Sequence, residues 1–232
     1  MKLLRPDADA VHAIIPAKVL RESKARLAPS LSIANRSRLS RAMLVDVLDT
    51  LGRVPGVRRI TVVSADRFVR TIAIRKGAHF LSEDKRRGLN NALRLALRDA
   101  RNRNAPVSLI LPSDIPLVTP HELTRLLDLS AGYPITITPS KDGHGTNALI
   151  LRPPGVINPA FGLNSFQRHL SIANRKRLSV RVVKLKGVAL DLDEPTDLCR
   201  ISRQSLRNQT GMFLELLGKT RRGLKADNRK DS

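Results

Sequence analysis

Aromatic residues are scarce in this chain: they make up 3% of its 232 residues, with five Phe, one Tyr and no Trp. Proteins that bind single-stranded nucleic acid without sequence preference stack the bases on aromatic side chains. The scarcity argues against that class, and the sequence has neither a zinc-finger spacing nor an aromatic RNA-binding signature. It also means that Leu, Ile, Val and Ala must fill the core.

Cysteine and long apolar runs are also nearly absent. The single cysteine, Cys199, cannot form an internal disulfide, which is typical of a protein in a reducing compartment. Within residues 1–18 the only apolar run is the short one from Ala10 to Ala17, without the features of a secretory signal. No run approaches the roughly 20 apolar residues that cross a bilayer. We therefore expect a cytoplasmic protein with no signal peptide and no membrane span.

Acidic residues are few, since 20 Asp and Glu stand against 42 Lys and Arg and the formal net charge is +22. The resulting positive field attracts polyanions and surrounds any cleft. A basic surface alone is weak evidence for specific nucleic-acid binding, so we expect no specific nucleic-acid partner. A basic nucleic-acid-binding protein nevertheless stays as the alternative from a different class, and salt-dependent retention of DNA or RNA would favour it.

The order of the hydrophobic patterns predicts an α/β fold in which a single-domain, mostly parallel (mixed) sheet is flanked by helices. A chain of 232 residues suits one such domain better than two. We place the domain in residues 1–202 and a basic tail, partly disordered or forming a short helix, in residues 203–232. The predicted strands are 11–16, 59–64, 78–81, 107–111, 135–138, 147–151, 180–186 and 188–192, and the predicted helices are 32–54, 66–76, 90–101 and 120–129.

Three carboxylates carry the strongest chemical signal. Asp114 lies in LPSDIPL (residues 111–117), directly after an apolar strand, and open α/β sheets bind ligands at that strand end. Asp191 and Asp193 are two apart in an extended segment, so both project to one side. Each motif alone also fits an ordinary turn. Three converging carboxylates are hard to leave without a cation, and hard oxygen ligands of this kind suit magnesium.

Two loops could bind the anionic groups of a ligand. The first, GHGTNAL (residues 143–149), has glycines that let the backbone approach a ligand and a hydroxyl on Thr146. The second, FGLNSFQRH (residues 161–169), places Gly162 and Ser165 at the start of a helix, whose positive end attracts anions. A hairpin turn and a plain helix cap are the alternative interpretations. His169 is interpreted as a structural histidine.

Basic and amide side chains near two further turns could bind a nucleotide. Lys18, Lys24 and Arg26 follow the first strand, where they could neutralise a triphosphate. In a chain with 42 basic residues such a cluster also arises by chance. Gly88 and Asn90 begin a helix and could read a purine edge, or could simply cap the helix.

Taken in order, IPAK, SKARL, GLNNAL, LPSDIPL, DGHGTNAL, FGLNSFQRH and DLDEPTDL resemble the guanylyltransferase of coenzyme F(420) biosynthesis, over roughly residues 11–201. That family comprises 2-phospho-L-lactate and phosphoenolpyruvate guanylyltransferases. The resemblance implies a fold similar to nucleotide-diphospho-sugar transferases, with GTP as donor, a small phosphorylated carboxylic acid as acceptor and Mg²⁺ as cofactor. A homodimer is compatible with it.

The resemblance also implies a role for each motif. Asp114, Asp191 and Asp193 would hold the metal, and Thr146, Gly162 and Ser165 would bind the acceptor. Lys18, Lys24 and Arg26 would meet the nucleotide phosphates, and Gly88 and Asn90 would lie near the guanine. Asp114, Lys24 and Arg26 would then be the catalytic residues.

The implied reaction needs little acid–base chemistry. The acceptor phosphate is already an anion, so attack on the α-phosphorus of GTP requires positioning and charge neutralisation. The acceptor would be phosphoenolpyruvate, 2-phospho-L-lactate or 3-phospho-D-glycerate. Another nucleotidyltransferase of the same fold, using CTP or a sugar phosphate, is the alternative among enzymes, because base choice turns on few loop atoms.

Overall fold

The structure is a computed structural model that describes residues 10–83, 88–202 and 206–227. A seven-stranded sheet, in the order β3-β2-β1-β4-β6-β5-β7, forms its centre, and only β6 runs antiparallel to its two neighbours. The predicted α/β class with a mostly parallel, mixed sheet is confirmed. The strands are β1 (Val11–Pro16), β2 (Val57–Ser64), β3 (His79–Ser82), β4 (Val107–Ile110), β5 (Ile135–Pro139), β6 (Thr146–Leu151) and β7 (Val180–Val182).

Helices cover both faces of the sheet, and their ends follow local sequence signals. Ser32 caps the first long helix by accepting a hydrogen bond from the Asn35 amide, and Thr119 and Glu122 form a capping box before a proline start. The helices are α1 (Ile33–Leu51), α2 (Arg67–Arg75), α3 (Leu89–Asn102), α4 (Pro120–Leu129), α5 (Ser165–Arg175), α6 (Lys186–Ala189), α7 (Pro195–Ser202) and α8 (Gln209–Asp227).

The sequence prediction was wrong at residues 188–192. The chain forms the single turn α6 and then continues without strand pairing, and β7 covers only the first three residues of the predicted strand 180–186. Local contacts favour the turn: the Gly187 amide donates to Glu122 Oε1 at 2.8 Å, and a Cβ at this position would lie 2.6 Å from the Leu117 carbonyl oxygen. Only glycine allows that close approach, which a β-propensity argument cannot reveal.

Helix α8 lies within the residues assigned to the basic tail. Its first turn is held by Asp46 of α1, whose carboxylate accepts the amides of Gln209 (2.8 Å) and Thr210 (2.9 Å). Phe213 and Leu217 pack against the apolar cluster that Leu39 and Met43 of α1 belong to. Residues 209–218 are thus fastened to the domain, while residues 203–205 and 228–232 of the predicted tail lie outside the described residues. The division at residue 202 stays a prediction.

None of the described helices combines the length and the apolar character that crossing a membrane requires.

A buried histidine near the start of β1 should make the stability of the fold sensitive to acid. His12 is 2% exposed, and burial together with the charge of Arg59 lowers its pKa to about 4. Because the pKa of His12 is lower in the folded chain, only the unfolded chain binds a proton at this residue between pH 6.5 and about 4. The free energy of unfolding therefore falls as the pH falls through that window. We expect His12→Gln to reduce the loss of unfolding free energy between pH 7 and pH 5 by about 2 kcal/mol. Urea unfolding of both proteins at the two pH values measures this, and equal losses would contradict it.

Candidate functional site

A cavity of about 360 Å³ opens at the carboxyl ends of β1 and β4. These two strands are adjacent, and the strands that follow them in the chain, β2 and β5, lie toward opposite edges of the sheet, which is where open α/β sheets bind ligands. The loops after β1 and β4 contribute Lys18, Lys24 and Asp114, and the segment after α6 contributes Asp193. Other clefts are larger, but this one contains two of the three predicted metal ligands, Asp114 and Asp193, together with Lys18 and Lys24.

Lys24 lies between two of the predicted metal ligands. Its Nζ is 2.6 Å from Asp114 Oδ2 and 2.7 Å from Asp193 Oδ1, and its side chain is 4% exposed. Burial alone would lower the pKa of Lys24, but the charges and hydrogen bonds of Asp114 and Asp193 outweigh it and raise the pKa above its usual value. Burial favours protonation of Asp193, and Lys24 again outweighs it, so the pKa of Asp193 is lowered. The three side chains form one charge cluster around a buried lysine.

The backbone holds the third carboxylate beside this cluster. The Leu192 amide donates to the Asp114 carbonyl at 3.0 Å, which fastens Asp191 and Asp193 next to the end of β4. The pKa of Asp191 is raised, first by burial and then by the charges of Asp114 and Asp193. Asn147 of β6 lies on its other side, with Nδ2 3.5 Å from Asp191 Oδ1. The three aspartates predicted from two distant motifs therefore do come together.

The described residues do not form a metal site that is complete without other ligands. Within residues 10–83, 88–202 and 206–227, no three His, Cys, Asp or Glu side chains are grouped as a ready metal site. The ammonium of Lys24 lies between Asp114 and Asp193 and supplies the positive charge there.

The predicted nucleotide-binding residues divide into two groups. Lys18 and Lys24 line the cavity. Arg26 does not line it. Its side chain is 73% exposed, and its Nη1 lies 3.5 Å from Oε1 of Glu194, the residue after Asp193, so Arg26 lies at the rim of the cavity. Gly88 precedes α3 with φ of 72°, and residues 84–87 directly before it lie outside the described residues.

Asn90 has a role that the sequence did not suggest. Its Oδ1 accepts the Phe161 amide at 2.8 Å, and its Nδ2 donates to the Phe161 carbonyl at 2.9 Å. These two bonds tie the start of α3 to the loop that precedes α5. The predicted contact of Asn90 with guanine stays a prediction, which would have to use the remaining lone pair and N–H of the amide.

The predicted acceptor-binding residues form a second cluster, between the start of β6 and the start of α5. Thr146 begins β6, and its Oγ1 is 3.0 Å from Nδ1 of the buried His169. Gly162, with φ of 118°, and Ser165, which is 2% exposed, lie at the amino-terminal end of α5. The Phe166 amide donates to the His144 carbonyl at 3.1 Å, which joins the two glycine-containing loops.

Several residues of the site escaped the sequence analysis. Ser23 and Ser40 meet through their hydroxyls at 2.8 Å at the cavity wall, and Met43, Leu44, Glu83 and Leu89 line it too. Burial raises the pKa of Glu83. Apolar wall residues resemble any core residue in a sequence, so no motif could have identified them. Asn147 was identifiable in principle, because it directly follows Thr146 in a noted motif.

Comparison with known proteins identifies the family of this chain. The family model "Guanylyl transferase CofC like" matches residues 11–227, which extends beyond the predicted domain boundary and includes α8. The phosphoenolpyruvate guanylyltransferase of Rubrobacter xylanophilus is 41% identical over 193 residues, covering 83% of this chain and 93% of that protein. The 2-phospho-L-lactate guanylyltransferase of Methanobrevibacter smithii is 35% identical over 209 residues, covering 90% and 91%.

Solved structures support the fold alone. A putative nucleotide-diphospho-sugar transferase from Desulfovibrio desulfuricans superposes with a TM-score of 0.75 at 17% identity, covering 89% of this chain and 94% of that one. Rv0371c from Mycobacterium tuberculosis superposes with a TM-score of 0.60 at 21% identity, covering 84% and 98%. Together with the length of the family match, the two guanylyltransferase relatives show that this chain belongs to the CofC-like guanylyl transferase family of nucleotidyltransferases.

Proposed function

We propose that this protein transfers GMP from GTP to a small phosphorylated carboxylic acid and releases diphosphate, as a step of coenzyme F(420) biosynthesis. Phosphoenolpyruvate, 2-phospho-L-lactate and 3-phospho-D-glycerate are the candidate acceptors. The observation that carries the proposal is the Lys24 bridge between Asp114 and Asp193 in the cavity at the ends of β1 and β4. The names of the two relatives supply the donor base and the acceptor class.

The chain's own basic residues would balance the charges of the reaction. An oxygen of the acceptor phosphate forms the new bond to the α-phosphorus, and the bond from that phosphorus to the β-phosphate oxygen breaks, with the electron pair leaving on diphosphate. Lys18 and Lys24 line the cavity where the triphosphate would lie, and Arg26 on the rim could reach the departing diphosphate. The reaction needs no general base.

The aspartates fit a magnesium ion. Asp114, Asp191 and Asp193 offer hard oxygen donors, and the pKa of Asp191 is raised first by burial and then by the negative charges of Asp114 and Asp193, which a cation would offset. We propose that these three side chains hold Mg²⁺ together with the nucleotide phosphates. When bound, the ion would reduce repulsion between the two reacting anions.

Thr146, Gly162 and Ser165 would hold the acceptor. The amino-terminal turn of α5 presents the positive end of the helix dipole, which favours a phosphate or carboxylate, while the amides of Ser165 and Phe166 already donate to the carbonyls of Gly162 and His144. Asn147 directly follows Thr146 and lies 3.5 Å from Asp191, so an acceptor held by Thr146 would lie near the three carboxylates. Proximity of the two anionic substrates would then accelerate the reaction by orientation.

Diphosphate release tests the proposal. The protein would be incubated with GTP and Mg²⁺ and with each of the three acids separately, with ATP and CTP replacing GTP as controls. We expect release with GTP and one acid, at a rate at least about tenfold above either control nucleotide. Release with CTP alone would transfer the proposal to a cytidylyltransferase, and no release with any pair would overturn it.

A further inference from the structure

We propose that His169 is a positioning residue which turns the Thr146 hydroxyl into a hydrogen-bond donor for the acceptor anion. The inference rests on the proposed function and deepens it. The sequence analysis interpreted His169 as merely structural. The structure places it between a backbone amide and the hydroxyl of a proposed substrate-binding residue.

The contacts of the imidazole determine which nitrogen carries the proton. His169 Nε2 is 2.9 Å from the Ala160 amide nitrogen, which can only donate, so Nε2 must accept. A neutral imidazole then has its hydrogen on Nδ1. Burial and the neighbouring charge of Arg168 lower the pKa of His169 to about 4, so the ring is neutral near pH 7.

The tautomer in turn orients Thr146. Because Nδ1 carries a hydrogen, Thr146 cannot donate to it across the 3.0 Å contact, and Oγ1 accepts instead. Among the described residues, His169 is the only hydrogen-bond partner of the Thr146 hydroxyl. Its hydrogen is therefore free for a ligand. A phosphate or carboxylate accepts hydrogen bonds and donates none when ionised, so this polarity suits an anionic acceptor.

The imidazole is held firmly enough to impose this orientation. The ring is fully buried and meets Phe161 edge to face, with centroids 5.1 Å apart and planes at 74°. The Phe161 backbone is held in turn by two hydrogen bonds with Asn90, one donated by the Phe161 amide and one accepted by the Phe161 carbonyl. His169 thus cannot turn over without disturbing the loop that carries Gly162.

Three replacements of His169 separate positioning from packing. The amide nitrogen of His169→Asn can take the place of Nδ1 and donate to Thr146. The longer His169→Gln places its amide near the position of Nε2 and leaves no donor at Nδ1. His169→Phe keeps the ring shape without either nitrogen.

Steady-state kinetics with GTP and the best acceptor tests these variants. We expect His169→Gln and His169→Phe to raise the acceptor KM by about 5- to 30-fold, with the GTP KM changed less than about twofold. His169→Asn should recover most of the loss. In a Thr146→Val background, His169→Gln should change the acceptor KM by less than about twofold, because the hydroxyl it orients is gone.

Two outcomes would overturn the inference. Equal effects of His169→Gln with and without the Thr146 hydroxyl would assign His169 a packing role alone. A ¹⁵N NMR spectrum of the histidine-labelled wild-type protein provides a second readout that needs no activity: we expect a neutral His169 protonated on Nδ1 at pH 7. Protonation on Nε2 would exclude the mechanism, even in an active enzyme. If the wild-type protein transfers GMP to no acid, the proposed function fails, and the spectrum still decides the tautomer.

Discussion

Asp114→Asn is expected to lower kcat for diphosphate release by at least about a thousandfold while the protein stays folded. Asp114 follows β4 at the centre of the sheet and is the carboxylate that accepts Lys24 at 2.6 Å. Asparagine keeps the side-chain volume and one acceptor oxygen, but it removes the negative charge. The proposed magnesium ion would lose a charged ligand at the strand end where both substrates meet.

Stability should change much less than the rate. Lys24 keeps its second partner, Asp193, at 2.7 Å, and Asp114 is 27% exposed, so solvent already weakens the lost ion pair. We expect a loss of about 1 to 2 kcal/mol in the free energy of unfolding. Urea unfolding and initial rates at saturating GTP and acceptor measure both quantities. Asp128→Asn, at an exposed position of α4, is the matched control and should leave both unchanged. An unchanged rate in Asp114→Asn would refute the metal assignment.

The sequence predicted the central elements because several local signals agreed there. The strand before Asp114 is apolar except for Ser108, which is typical of a strand buried on both faces, and β4 is buried along its whole length. The predicted helix at residues 120–129 matches α4, and its start carries three local signals: the cap Thr119, Pro120 at the first position and Glu122 of the capping box. Where propensity, capping and periodicity coincide, tertiary contacts have little left to change.

The relations among side chains were harder to predict than the elements. The sequence assigned Lys24 to the nucleotide phosphates, but its contacts with Asp114 and Asp193 join residues 90 and 169 positions away. Its backbone also adopts the left-handed conformation, with φ of 57°, which costs a non-glycine residue about 1 kcal/mol and which no propensity indicates. Asn90 is a similar case, since its partner is the backbone of Phe161, 71 positions away.

Lys24→Met is expected to impair both catalysis and folding stability. Methionine fills the space of the lysine stem but brings no charge, so Asp114, Asp191 and Asp193 would repel one another with no buried cation between them. Because Asp114 and Asp193 are 27% and 44% exposed, we discount the loss for solvent screening and expect about 1 to 3 kcal/mol. The proposed contact with the triphosphate disappears as well, which should lower kcat by at least about a hundredfold.

Added magnesium should restore part of the lost stability in this variant. A cation that binds the folded but not the unfolded chain stabilises it by mass action, and the three carboxylates of Lys24→Met have no competing ammonium. We therefore expect Mg²⁺ to raise the urea midpoint of Lys24→Met more than that of the wild type, without any nucleotide present. Arg26→Met is the matched control: its ion pair with Glu194 is exposed, so its midpoint should stay near the wild-type value with or without Mg²⁺. Equal magnesium effects in all three proteins would show that the aspartates do not bind the ion without nucleotide, and the proposed metal site would then depend on the phosphates of GTP.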